Sequence, residues 1–152
     1  MNPMPQPATH RPRFRAPLLL LGLLWLLSAQ TPKPMPLEQT LRASRWQHRV
    51  LLLAAPTAAH PDFKAQKALL ATQKAELADR DFVVVEALYD QLSAADLAFL
   101  KQKTGAQPPQ FAAVLIGKDG GVKERRARPI PPADLFGTVD KMPMRRQEMR
   151  RK

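Results

Sequence analysis

Cysteine is absent from the 152 residues, which excludes disulfide staples, thiolate nucleophiles, Cys-liganded zinc and CxxC redox pairs. Thiol oxidoreductase and thiol peroxidase activities go with them. Histidine occurs only at His10, His48 and His60. No two of these have ligand spacing such as HxxxH and the carboxylates are scattered, so neither a metal nor a cofactor is expected. Glycine is sparse at 6, and the stretch Lys118-Asp119-Gly120-Gly121 lacks the GxxxxGK[ST] arrangement of a phosphate loop. Aromatic residues make up 6% with a single Tyr, which offers few stacking platforms and makes nucleic acid an unlikely partner.

Acidic residues are scarce as well: 13 Asp+Glu face 24 Lys+Arg, a formal net charge of +11. The excess begins at the amino terminus, where Arg11, Arg13 and Arg15 precede an apolar run from Leu18 to Leu27 with no acidic residue before it. A basic segment followed by about 7 to 15 apolar residues reads as a secretory signal, whereas a spanning helix needs about 20. Residues 1–29 are therefore expected to be a signal peptide, directing the chain to the periplasm or the extracellular space. Leu27 stands three places before a cut after Ala29, where a small residue is favoured, so retention of residues 17–29 as a membrane anchor is the alternative. The absence of Cys excludes a lipoprotein, and the interrupted Arg11-Pro-Arg13-Phe-Arg15 does not form a twin-arginine signal.

Residues 30–36 form a Pro-rich, extended spacer, and one domain is expected over residues 37–143. Arg49–Ala55, ended by Pro56, reads as a strand apolar on both faces, as a central parallel strand requires. A helix is predicted over residues 61–78, with Phe63, Leu70 and Leu77 at heptad spacing and Leu69 beside them. Residues 81–88 read as a second strand, also buried on both sides. Ser93 as N-cap with Asp96 three residues on, and Gly105 at the far end, predict the next helix. Asp119-Gly120 between two extended runs predicts a hairpin in which both central residues take positive φ. The charged second arm, residues 122–126, suits an exposed edge strand. A last helix is expected over residues 132–142, followed by a basic tail over residues 144–152.

Two strands joined through a helix run parallel, and the hairpin adds antiparallel strands to the same sheet. This βαβα order, followed by a ββ hairpin and a C-terminal helix, is that of a thioredoxin-like three-layer α/β sandwich; another small α/β sandwich is the alternative. Pro108 and Pro109 precede a strand, as a cis-Pro does in thioredoxin relatives, without the sequence deciding the isomer.

Four stretches carry a family resemblance: Arg45-Trp46-Gln47-His48-Arg49 with the strand after it, Leu77-Ala78-Asp79-Arg80-Asp81, Leu115 to Lys123, and Met142 to Met149. Over residues 37–149 the chain resembles the domain-of-unknown-function family 4174. Similar domains occur in exported bacterial proteins and in vertebrate extracellular matrix proteins with sushi repeats. The resemblance implies a thioredoxin or peroxiredoxin relative, and it brings no catalytic residues.

Two constellations remain. Thr57, His60 and Asp62, where the first long strand turns into its helix, combine a hydroxyl, a base and a carboxylate, the parts of a nucleophilic site. Helix capping by His60 or Asp62, with Thr57 satisfying turn amides, is their plainer use. The second is a basic surface formed by Arg125, Arg126 and Arg128 of the hairpin region with Arg145, Arg146, Arg150 and Arg151 of the tail, suited to an acidic envelope or extracellular macromolecule. The function expected from the sequence is an exported, non-catalytic, thioredoxin-like binding module without thiol redox activity. The alternative is a small hydrolase or anion-ligand-binding enzyme built on Thr57, His60 and Asp62.

Overall fold

A computed structural model describes residues 35–151. The expected signal peptide and all but the last two residues of the spacer lie outside the described residues. Strand β1 (Arg49–Ala55) is the centre of the fold, and all seven of its residues are buried. Strand β2 (Phe82–Leu88) pairs parallel to it on one side. On the other side β3 (Ala112–Ile116) pairs antiparallel, and β4 (Val122–Arg126) pairs antiparallel to β3, giving the order β2-β1-β3-β4.

Because side chains alternate across a strand, β1 feeds two cores. Leu51, Leu53 and Ala55 pack with Phe63 and Leu70 of α2 (Pro61–Ala71) and with Leu135, Phe136 and Val139 of α5 (Pro132–Asp140). Val50, Leu52 and Ala54 pack with Leu37 and Leu41 of α1 (Leu37–Ser44) and with Leu100 of α4 (Ala94–Thr104). The result is a mixed α/β sandwich with helices on both faces of the sheet. Burying each of Leu51, Leu52 and Leu53 completely contributes about 2 to 3 kcal/mol.

Several expectations hold in detail. Ser93 caps α4, its Oγ accepting from the Asp96 N–H at 3.1 Å, and Gly105 ends the helix at φ 68°. Asp96 does more: its Oδ1 accepts from the Leu37 N–H at 2.8 Å, so the α4 cap also satisfies the start of α1. The Pro108–Pro109 bond, whose isomer the sequence left open, is cis.

Others are corrected. The helix over residues 61–78 is two helices, α2 and α3 (Lys74–Asp79), separated at Thr72 and Gln73. Gln73 N–H bonds back to Leu70 at 3.0 Å, an i−3 contact that tightens the last turn of α2. Leu69, within α2, faces solvent at 40% exposure, while Leu77 of α3 reaches the core. Strand β2 is not buried on both sides; it is an edge strand, and Val84 is exposed. The hairpin has a five-residue turn closed by Gly117 N–H to the Gly121 carbonyl at 2.9 Å. Of its residues only Gly120 takes positive φ. Asp119 instead accepts the Gly121 N–H at 3.0 Å through Oδ1, and a register shift at Leu115/Ile116 absorbs the extra length.

Helix α1 has no counterpart in the sequence reading. The segment read as a basic tail is, over Pro143–Arg151, helix α6, continuous with one compact unit that runs on from Met35. Among the described residues no helix is long and apolar enough to cross a membrane.

Candidate functional site

At the β1–α2 corner Thr57, His60 and Asp62 each have separate surroundings. Thr57 is exposed and its Oγ1 accepts from the Ala59 N–H at 3.3 Å. His60 occupies the N-cap position of α2 without a side-chain bond to the helix, which also departs from the capping role expected of it. Its ring stacks against Phe111, centroids 6.0 Å apart and planes 8° from parallel, with Nδ1 buried and unpartnered. Asp62 lies in the first helical turn, where its charge suits the helix dipole. Among the described residues no hydrogen bond links these three side chains. No cluster of three potential metal ligands occurs among the described residues either.

The dense polar chemistry lies at the opposite end of β1. Arg49, only 1% exposed, is held by Glu148 of α6 through two bonds of 3.1 Å each, and donates to the Arg80 carbonyl at 2.9 Å. Lys118, in the hairpin turn, binds Glu148 at 2.9 Å and Asp81 at 2.7 Å. Arg80 lies over the Phe136 ring at 4.6 Å and forks onto Asp140 at 2.9 and 2.8 Å. Arg145, on α6, is 4% exposed; it donates to the Asp79 carbonyl at 2.7 Å, pairs with the Asp79 carboxylate and reaches Asp140 at 3.3 Å.

The four stretches that carry the family resemblance thus converge on one ion-pair network that clamps α6 to the sheet. Burial pushes the Glu148 carboxyl up, but its bonds to Arg49 and Lys118 outweigh this and hold it below the usual carboxylate range. Asp140 is held low chiefly by its bonds to Arg80, with Arg145 assisting.

The seven arginines assigned to a basic surface divide into different roles. Arg145 is buried in the clamp, so it belongs to no surface. Arg126 pairs with Glu124 and with Asp134, the latter at 2.8 Å, and Arg125 donates to the Gly105 carbonyl. Arg128, Arg146, Arg150 and Arg151 are exposed and make no ion pair among the described residues. Register separates the two groups: Arg126 lies opposite Ala113, at the start of β3, whereas α6 is tied to Arg49, at the end where β3 finishes opposite Val50.

A cavity of about 300 Å³ adjoins the clamp, lined by Arg49, Lys118, Lys123, Asp119, Met142 and Met144 among others. Lys123 pairs with Asp119 at 2.6 Å, so each cation on its wall is already answered by a carboxylate. A more accessible feature lies beside it. Trp46 is 61% exposed, adopts φ 69°, and donates its backbone N–H to the Lys118 carbonyl at 2.6 Å. Arg45 stands over its ring at 5.1 Å and donates to the Asp119 carbonyl at 3.0 Å. Left-handed backbone is costly for a bulky residue, so this displayed indole is held in place by the hairpin turn.

Sequence reasoning missed both Trp46 and the clamp. A charged residue at the start of a strand ordinarily faces water, and only the clustering of charges in the four family stretches hinted otherwise.

Fold and site together describe a small α/β sandwich domain whose last helix is held to the sheet by a largely buried ion-pair clamp. Residues 40–148 match the family described as a domain of unknown function, DUF4174, and the chain belongs to that family. It is similar to coiled-coil domain-containing protein 80 of Danio rerio, with 27% identity over 141 residues. That similarity covers 77% of this chain but 16% of the fish protein, so the chain spans about a sixth of its relative's length.

Proposed function

We propose that this chain is an exported, non-catalytic recognition module of thioredoxin-like build that holds an acidic polysaccharide at the α6 end of its sheet. The sheet order, a parallel pair joined through helices and extended by an antiparallel hairpin, supports the thioredoxin-like assignment. The basic leader and apolar run of residues 11–27 support export, and membrane attachment would come only through residues 17–29 if they are retained, or through the basic helix.

One observation carries the binding assignment. The acidic partners in and around α6 are consumed by Arg49, Lys118, Arg80 and Arg145, which leaves Arg146, Arg150 and Arg151 as uncompensated positive charge on its exposed surface. Trp46 is anchored through its backbone N–H to the carbonyl of the same Lys118 whose ammonium holds α6. An exposed indole stacks on sugar rings, while guanidinium groups pair with sulfate or carboxylate substituents. Together they suit a chain of acidic sugars better than a protein surface, where buried apolar anchors dominate.

Retention on immobilised heparin, measured against salt, tests this. The triple variant Arg146→Glu, Arg150→Glu, Arg151→Glu should elute at lower salt and reduce the slope of log affinity against log salt by about 2 to 3, one unit per lost contact. Trp46→Ala should weaken binding with little change of slope. Unchanged retention of the triple variant overturns the assignment.

A further inference from the structure

The two edges of the sheet are built differently. On β4, Lys123, Glu124, Arg125 and Arg126 follow one another, and its pairing with β3 is broken by a register shift. Charge and a bulge are two devices by which edge strands avoid pairing with other chains. Strand β2 has no bulge and only one charge. It reads Phe-Val-Val-Val-Glu-Ala-Leu, contains no proline, and keeps an unbroken register with β1 over all seven residues. Its single charge, Glu86, is tied to Lys67 of α2 at 2.7 Å.

The direction of its backbone groups follows from the bonds at its ends. Arg49 N–H binds the Asp81 carbonyl at 2.9 Å, and Tyr89 N–H binds the Ala55 carbonyl at 2.9 Å. Odd-numbered residues therefore face β1, so Phe82, Val84 and Glu86 direct their N–H and C=O groups outward. Among the described residues no backbone partner meets them.

We propose that this edge pairs with the β2 of a second copy of the chain, antiparallel and about a two-fold axis at Val84. In that arrangement the outward backbone groups of the two copies fall in register. Val84 meets its own copy, Phe82 meets Glu86, and Val83 meets Val85 on the opposite face. The outward residues exchange about six N–H···O bonds, two for each facing pair, and the two sheets become one. The charged, bulged β4 edge offers no such match, and an isologous contact closes without propagating into a fibre.

This pairing is independent of the polysaccharide assignment and responds oppositely to salt. Two copies each carrying a net charge of +11 repel one another, so screening strengthens the dimer, whereas it weakens retention on heparin.

The absence of cysteine makes a direct test available. In a hydrogen-bonded antiparallel pair the facing Cα atoms lie about 5.5 Å apart, within the range a disulfide spans. Mild oxidation of the full-length Val84→Cys variant should yield at least about tenfold more covalent dimer than the Val122→Cys variant, whose thiol sits on the opposite edge. Val84→Lys should sediment as a monomer at a salt concentration where the wild type is dimeric, with an unchanged circular dichroism spectrum. Equal cross-linking of the two cysteine variants would place the contact elsewhere in the chain, and no cross-linking at Val84 would leave the edge to a different occupant. Either result overturns the proposal.

Discussion

Glu148→Gln is the most informative single substitution for the clamp. The change keeps the shape of the side chain and removes its charge, leaving the Arg49 guanidinium, 1% exposed, with neutral acceptors only. A guanidinium does not escape that cost by shedding its proton. Removing one partner of a buried pair costs about 3 to 5 kcal/mol. Here the lower end applies, because the glutamine oxygen still accepts one of the two 3.1 Å bonds and the Glu148 side chain is 24% exposed, which admits some water. About 3 kcal/mol is expected, equivalent to a fall in Tm of about 10 to 15 °C for a unit of this size. Urea unfolding followed by circular dichroism would measure it. Glu38→Gln, which breaks the exposed pair with Arg42, is the reference and should cost less than about 0.5 kcal/mol. Replacing both Arg49 and Glu148 by Met should recover part of the loss, since the penalty lies in the stranded charge rather than in the missing contact. A cost below about 1 kcal/mol for Glu148→Gln would refute the reasoning, because the clamp would then be ornamental.

Acid should loosen the same clamp. Glu148 and Asp140 are held below their ordinary values, so the stability they contribute is complete above about pH 5 and is withdrawn as the pH falls through about 4 and below. Urea midpoints from neutral pH down to about 3 should fall, and fall less steeply in Glu148→Gln. Gln66 is fully buried and bridges both backbone groups of Ile130, accepting its N–H at 2.6 Å and donating to its carbonyl at 3.1 Å. Gln66→Ala should cost about 2 to 4 kcal/mol by stranding both groups, measured by the same unfolding. Ser93→Ala should cost about 1 kcal/mol through the lost cap of α4. Asp96→Ala should cost about 2 kcal/mol, because the Leu37 N–H of α1 loses its acceptor as well.

Local signals in the sequence carried a good part of the fold. The boundaries of β1 are those of an apolar run stopped by proline, and both ends of α4 are written in the residues that cap them. The hairpin was legible as a hairpin, but its turn type was not: Asp119 keeps its own φ negative by using its carboxylate for the Gly121 N–H, an option that dipeptide preference does not reveal. The break at Thr72–Gln73 and the existence of α1 were hidden for a related reason. Neither segment has a strong stop or start signal, and contacts with the rest of the molecule decide their shape. The burial of β2 was overestimated because an uncharged valine run looks the same in the middle of a sheet and at an edge; only strand order separates the two.

The candidate site was less legible. By itself the sequence determined what the protein lacks, the sulfur on which thiol chemistry depends, together with its basic excess and its alternation of strand and helix, because composition and period are local properties of a chain. Tertiary structure alone decided which charges face water. Arg145 and Arg146 are neighbours of identical chemistry, yet one is buried in a clamp with Asp79 and Asp140 and the other is exposed. That difference depends on carboxylates brought together from distant parts of the chain, and no pattern within α6 encodes their arrival.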